Sequence, residues 1–334
     1  MNDFPLLQNA WYVACRSSQL KRKPLTRTIL NTPFVLFRNA NGRAAVLIDR
    51  CSHRNAALSD GWVRDGCVVC PYHGWQFDED GICQHVPGLM DERVQKAKNI
   101  SAYPVIEQDG MVWVYPSHEK TTSQPPRFEF LNEPGYTHFI AEQSMPFALP
   151  DVLENFLDAT HTHFVHSGLI RSEGKRKTVN ITIRREADRV HAEYRDEGTQ
   201  SGLISRLFGG GVDKSIGRYV FPSTAQLEYG AGSQTKMLIT LCFTPETEIS
   251  QRLYAVVVGR GPAIFKPIIQ LLFLRAYQQD RHILELQKKN LQKFEKAQYV
   301  YTEADVLLPH ILHLLKHGPS PTAPASSRTV KLLL

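Results

Sequence analysis

The chain has no long apolar run. Its most apolar stretch, Ile264 to Leu274, is interrupted by Lys266, Pro267 and Gln270. It falls short of the roughly 20 apolar residues a spanning helix needs. Met1 leads directly into Asn-Asp-Phe, with no basic segment followed by an apolar one. No secretory leader is therefore expected, and a soluble cytoplasmic protein is the default. Cysteine is sparse, with six in 334 residues. Cys15, Cys67, Cys83 and Cys242 show no disulfide spacing, as in a reducing compartment, where thiols behave as small buried apolar groups. Charge of one sign is lacking too. The net charge is +6, and no dense Lys/Arg stripe with interleaved aromatics is present, which argues against nucleic-acid binding. Lys21-Arg22-Lys23 and Lys175-Arg176-Lys177 read as solvated loops. No G-x-G-x-x-G follows a strand, so no bound flavin or NAD is expected; Gly209-Gly-Gly211 reads as a loop.

What is present divides into two bodies and a tail. Residues 1–118 read as short strands and turns. Phe34-Val-Leu-Phe and Ala45-Val-Leu-Ile are apolar runs with Asn41-Gly42 between them as a hairpin signal. Asp78 to Gly81 is a turn, and Met111-Val-Trp-Val-Tyr is a strand. A polar linker, Ser117 to Gly135, leads into the second body, 119–318. Pro150 and a capping box of Asp151 with Glu154 open a helix there. Alternating runs at Val179–Ile183, Val190–Tyr194, Met237–Leu241 and Leu253–Val258 argue for an antiparallel sheet. Helical periodicity follows from about Pro262 to Phe294. The Pro- and Ser-rich residues 319–334 read as a flexible tail. The fold class expected is α+β.

The first chemical motif is Cys51-Ser-His53 followed by Cys70-Pro-Tyr-His73. A Rieske [2Fe–2S] centre needs two thiolates on one iron and two imidazoles on the other. Each mixed pair supplies one ligand to each iron. Zinc is the alternative for a Cys2His2 set, but zinc fingers pair Cys with Cys and His with His. Gly74 permits tight backbone approach beside the cluster. A redox disulfide at Cys67-Val-Val-Cys70 is the weaker use of Cys70.

The second motif is Asp158-Ala-Thr-His161-Thr-His-Phe-Val-His166. A mononuclear non-haem iron wants two His and one carboxylate on one face, leaving positions open for O2 and substrate. Spacing alone leaves His163 with His166 as a rival pair. Helical geometry places Asp158 and His161 on one face at i and i+3, where the acid can orient the imidazole. His310, His313 and His317 read as a solvated helix face, with no acid nearby in sequence to complete a site.

The run from Cys70 to Trp75 and the D-x2-H-x4-H motif resemble the Rieske non-haem iron oxygenases over about Trp11 to Gln287. Arg54-Asn-Ala56 and Tyr72 stand where Rieske subunits of respiratory complexes carry disulfide cysteines, so the resemblance is to the cytosolic branch. In length the chain resembles the shorter oxygenases, such as the vanillate, dicamba and caffeine demethylases and the saxitoxin-pathway hydroxylases. The resemblance implies an N-terminal all-β Rieske domain and a C-terminal catalytic domain of helix-grip, START-like layout. It implies one [2Fe–2S] cluster on Cys51, His53, Cys70 and His73, and one Fe(II) on His161, His166 and a later aspartate. Tyr277-Gln-Gln-Asp280 to Gln287 resembles the family's closing helix, which assigns Asp280; Gln279 stands where the family often has Glu. Asp305 and Asp151 are lesser candidates. Asn155 falls where the family often has Asn. Asp158 is implied as a bridge from His161 to His73 of a neighbouring subunit in a head-to-tail homotrimer, with His163 a bystander.

The implied activity is that of a terminal oxygenase. It takes electrons from a ferredoxin and/or flavin reductase and uses O2 to hydroxylate or demethylate a small, largely apolar or aromatic substrate. Pocket residues are expected around Leu203 to Val212 and Phe221. The rival readings are a Rieske electron-transfer protein with a substrate-binding second domain, and a zinc protein using the His-rich segment.

Overall fold

The structure, a computed structural model, describes residues 4–89, 98–119, 121–171, 176–195, 213–320 and 326–334. Lys175, Gly209 to Gly211 and the segment Leu203 to Val212 lie outside the described residues. The chain folds as two units. One comprises Leu6–Arg127 with Thr244–Thr247, and the other Met1–Pro5, Phe128–Phe243 and Glu248–Leu334.

The first unit is built of short strands: β1 (Tyr12–Arg16), β2 (Leu25–Ile29), β3 (Thr32–Arg38), β4 (Ala44–Ile48), β5 (Trp62–Arg64), β6 (Cys67–Val69), β7 (Gln76–Phe77), β8 (Cys83–His85), β9 (Val105–Gln108) and β10 (Met111–Val114). They form three antiparallel sheets, ordered β1-β10-β9, β2-β3-β4 and β5-β6-β7-β8. β3 is apolar on both faces. Phe34 and Leu36 enter a core with Tyr12, Val46 and Val112, while Val35 and Phe37 enter a second core with Leu47, Leu58, Val68 and Phe77. This is the period-2 alternation of a strand buried on both sides. Cys51 and Cys70 belong to the second core. Gly42 and Gly81 close the β3–β4 turn and the Asp78 turn with φ of 73° and 74°.

The second unit holds β11 (Tyr136–Met145), β12 (Thr178–Arg185), β13 (Arg189–Arg195), β14 (Lys214–Val220), β15 (Thr224–Ala231), β16 (Gln234–Thr247), β17 (Ser250–Arg260) and β18 (Ser326–Leu333). The last residues of β16, Thr244–Thr247, belong to the first unit. The strands form one sheet, ordered β11-β17-β16-β15-β14-β13-β12-β18. Three helices accompany them: α1 (Leu149–Leu157), α2 (Lys266–Leu291) and α3 (Leu308–His317). α2 packs on β11 and α1, and α1 packs on β14, β15 and α3. The fold is thus α+β, a β-rich unit followed by an antiparallel sheet with helices. Among the described residues no helix is long and apolar enough to cross a membrane.

Four sequence expectations are corrected. The division between the units, Arg127/Phe128, falls inside the expected linker Ser117 to Gly135, but the first part of that segment is not free. Trp11 Nε1 donates to Ser123 O, and Gln108 Nε2 donates to Pro125 O and Pro126 O, so backbone carbonyls hold it to the first unit as far as Arg127. The expected tail contains strand β18, whose Ser326 to Leu333 pair with β12 from Arg185 to Thr178. Alternating Thr329, Val330, Lys331 and Leu332 suit an edge strand, a pattern that its Ser-rich start obscures. α1 starts at Leu149 with Pro150 in its first turn and no side-chain cap bond; proline's fixed φ opens the helix there. Glu154 is therefore not its cap. Finally, Asp158 and His161 do not share a helix, as the site geometry shows.

Candidate active site

The two Cys-His loops are built alike. Cys51 N donates to Ala56 O and Asn55 N to Cys51 O; Cys70 N donates to Trp75 O and Gly74 N to Cys70 O. The residue four beyond each cysteine is left-handed, Asn55 at φ 61° and Gly74 at φ 73°. Asn and Gly are the residues that tolerate this conformation. A Cβ on Gly74 would also come to 3.1 Å from Pro87 Cγ. The shared turn brings the two imidazoles together, His53 and His73 lying with ring centroids 4.5 Å apart. Trp75 stacks on His53 at 4.8 Å and 5°.

The donor set fits a [2Fe–2S] group. Both sulfurs are buried, and His53 Nδ1 is buried without a hydrogen-bond partner. Burial pushes the Cys51 thiol up to about 11, against backbone N–H bonds from His53 and Arg54, and Cys70 raises it further. Such thiols ionise when a metal takes them, and N–H bonds to a cluster sulfur tune its potential. Among the described residues all six cysteines are free thiols.

In the second unit α1 stops at Leu157, and Asp158 caps it in extended conformation with its N–H on Glu154 O. The Asp158 carboxylate then organises the next turn. Oδ1 accepts from Thr160 N at 2.8 Å and Oδ2 from His161 N at 3.0 Å. His161 opens a separate 3-10 turn, His161–His163. Asp158 Oδ2 still lies 3.4 Å from His161 Nδ1, through this side-chain turn rather than along a helix face. Arg171 is buried and ties the segment together, its Nη1 donating to Ala159 O and Thr162 Oγ1, each at 2.6 Å. Sequence reading carried no signal for this anchor.

α2 completes the arrangement. Tyr277, Asp280 and Leu284 are its buried positions, at i, i+3 and i+7, so the acid lies in the apolar stripe. Asp280 Oδ1 lies 2.9 Å from His166 Nε2 and 3.4 Å from His161 Nε2. One ligand atom from each of His161, His166 and Asp280 lies within 4.8 Å of the others, and no other such group occurs among the described residues. His163 is buried outside this group. Asp305 is turned to Thr302 N and Oγ1, and Asp151 also lies outside the group. His310 is half-buried and His313 and His317 are exposed, with no metal-holding group among them. Gln279, next to Asp280, places Oε1 3.0 Å from His166 Nδ1.

Burial works to lower the His161 imidazole, but Asp158 and Asp280 override it and push it up to about 9. Burial likewise opposes ionisation of Asp280, yet the His161 and His166 rings hold its carboxyl below the usual range. His161 Nε2 and Asp280 Oδ1 are buried without hydrogen-bond partners. Two imidazoles and a carboxylate converging with unpaired atoms fit a divalent iron of the two-His, one-carboxylate type.

A cavity of about 150 Å³ adjoins the triad. Leu157, Ile239, Leu241, Phe273 and Ala276 supply apolar wall, and Arg171, Ser215 and Tyr229 supply polar groups. Phe221, expected at the pocket, is not among its lining residues.

Comparison with known proteins places this arrangement. The Rieske [2Fe-2S] domain model matches residues 10–104, and the vanillate O-demethylase oxygenase C-terminal domain model matches residues 149–316. The chain belongs to the Rieske non-haem iron oxygenases of that vanillate demethylase-like group. Together the two domains imply a [2Fe–2S] cluster and a mononuclear iron. Aminopyrrolnitrin oxygenase PrnD of Pseudomonas fluorescens is 32% identical over 231 residues, covering 65% of this chain and 58% of that protein. The oxygenase component of dicamba O-demethylase from Stenotrophomonas maltophilia is 37% identical over 163 residues, covering 48% of each. The chain thus spans about half the length of these curated relatives. The crystal structure of dicamba monooxygenase bound to dicamba superposes with a TM-score of 0.75 at 26% identity, covering 92% of this chain and 97% of that one. Pseudomonas putida CBB5 NdmA with caffeine gives 0.82 at 20% identity, covering 93% and 90%, a likeness of fold.

Proposed function

We propose that the chain is the terminal oxygenase component of a Rieske monooxygenase system, taking electrons from a ferredoxin and/or an NAD(P)H-dependent flavin reductase. Cys51, His53, Cys70 and His73 hold the [2Fe–2S] cluster, and His161, His166 and Asp280 hold the iron. When bound, these groups supply single electrons and activate O2. The observation that carries the reading is the convergence of three ligand atoms within 4.8 Å beside a largely apolar cavity.

The chain's own residues divide the remaining work. Asp158 orients His161 through the 3.4 Å contact at Nδ1. In a head-to-tail homotrimer it also joins His161 to His73 of the next subunit, giving electrons a path of side chains. Arg171 and Thr160 fix the turn that carries these groups. The apolar wall keeps water from the oxidising site and favours a small apolar or aromatic substrate, to be hydroxylated or oxidatively demethylated. Relatives named for dicamba and vanillate demethylation support that class. The free thiols of Cys15, Cys67, Cys83 and Cys242 favour a reducing, cytoplasmic setting. Residues 1–118 carry the electron-accepting part and 119–318 the oxygenating part.

The test is substrate-dependent NADH and O2 consumption with a surrogate reductase, across aromatic ethers, N-methyl compounds and polycyclic natural products. Coupled consumption with one compound is expected, with about three irons per chain. About two irons and no coupled consumption would favour the electron-carrier reading instead.

A further inference from the structure

We infer that Gln279 is a positioning residue for the mononuclear iron, its side-chain carbonyl holding His166 in the tautomer that presents Nε2 to the metal. The inference rests on the reading of His166 as a ligand.

His166 uses its two ring nitrogens differently. Nε2 faces Asp280 Oδ1 at 2.9 Å, inside the group of converging ligand atoms. Nδ1 faces Gln279 Oε1 at 3.0 Å. A neutral imidazole has one N–H and one lone pair, and the partner of one nitrogen decides which form prevails. Both nitrogens thus face an acceptor; with a metal at Nε2, where the ligand atoms meet, the ring's one N–H must lie on Nδ1, and Gln279 Oε1 is the acceptor that stabilises it there. The ring is 3% exposed in its side chain, so water does not offer Nδ1 a substitute acceptor. Gln279 and Asp280 are consecutive on α2, so one helical position supplies a ligand while its neighbour orients another ligand. Gln279 is only half-buried, and packing does not demand it.

Glutamine also sets the charge. With a neutral amide at this position the carboxylate of Asp280 is the one anion touching His166 among the described residues. A glutamate would accept the same Nδ1 proton and add a negative charge, raising ligand basicity. Acceptance is thus shared by the two residues, and a leucine removes it.

The test is Co(II) affinity at the mononuclear site after chelation of its iron, read from the cobalt d–d absorption, with the cluster in place. Loss of a ligand-orienting partner costs about 10- to 100-fold in metal affinity. Gln279→Leu and the smaller Gln279→Ala are expected to weaken Co(II) by that factor. Gln279→Glu is expected to bind at least as tightly as the parent. The Rieske visible bands and the Tm are read on every variant, and a leucine variant that loses either leaves the decision to Gln279→Ala. His166→Ala is the control. If it binds Co(II) like the parent, the ligand assignment itself is overturned. If it weakens binding while Gln279→Leu and Gln279→Ala match the parent, the ligand assignment stands and the role of Gln279 is overturned.

Discussion

Asp280 Oδ1 lies 2.9 Å from His166 Nε2, although one residue sits on the long helix α2 and the other on the loop after α1. The contact exists because α2 packs against α1 and turns its buried stripe toward the histidine turn. Asp280→Ala leaves the Rieske unit untouched. Iron is expected to fall from about three to about two per chain, with the visible cluster bands kept and product formation abolished. Iron analysis beside the absorption spectrum checks this. Retention of all the iron would remove Asp280 from the ligand set.

Asp158 both builds the turn and touches His161. Asp158→Asn keeps one acceptor oxygen, enough for either the Thr160 N–H or the His161 N–H, which now use Oδ1 at 2.8 Å and Oδ2 at 3.0 Å, and it loses the charge. Both metal centres are expected to stay loaded while coupled turnover drops at least about 10-fold, the scale of losses when a ligand-orienting group is removed. Single-turnover reoxidation of the cluster reports the step directly. Normal turnover would sink the bridging role.

The two cluster loops share a left-handed position, and its occupants differ in tolerance. Gly74→Ala places a Cβ at φ 73°, 3.1 Å from Pro87 Cγ. A cost of about 1–2 kcal/mol is expected, seen as faster bleaching of the cluster on heating. Asn55→Gly, at φ 61°, should change the bleaching rate little. Equal sensitivity at both positions would contradict the conformational account.

Glu154 is a half-buried acid whose carboxyl is raised to about 7, first by desolvation and then by Asp158. A raised acid costs stability where the folded protein must ionise it. The penalty is absent below the unfolded value near 4.5 and grows as pH rises toward about 7. One pKa unit corresponds to about 1.4 kcal/mol, so the ceiling is about 3 kcal/mol. Glu154→Gln is expected to melt higher than the parent at pH 8, with the gap closing near pH 5. A gap that is the same at both pH values would show that Glu154 does not titrate in this way.

Much of the first unit is legible in the sequence because its signals are local. A hairpin at Asn41-Gly42 and a turn at Asp78 to Gly81 follow from glycine's access to positive φ. The mixed Cys-His pairs carry their spacing in each loop. The strand at Ser326 is not legible, because edge pairing with β12 depends on a partner far away in the chain. The D-x2-H segment misleads in detail. Its spacing suits a helix, yet Asp158 ends α1 and reaches His161 through its own carboxylate. Side-chain bonding to nearby backbone competes with helix continuation at aspartate.

Residue types and short spacings already carry the chemistry on offer: two thiols and two imidazoles in matched loops, and a histidine-rich turn after an aspartate. Which of three neighbouring histidines meet an acid depends on packing between distant segments. His161 and His166 turn toward Asp280 while His163 is buried elsewhere. The same packing decides that Gln279, an inconspicuous polar residue in the sequence, faces His166 Nδ1. The reason is physical. Ligand identity is written in residue types and short spacings, whereas convergence on a common point is set by how α2 packs on α1 and the sheet.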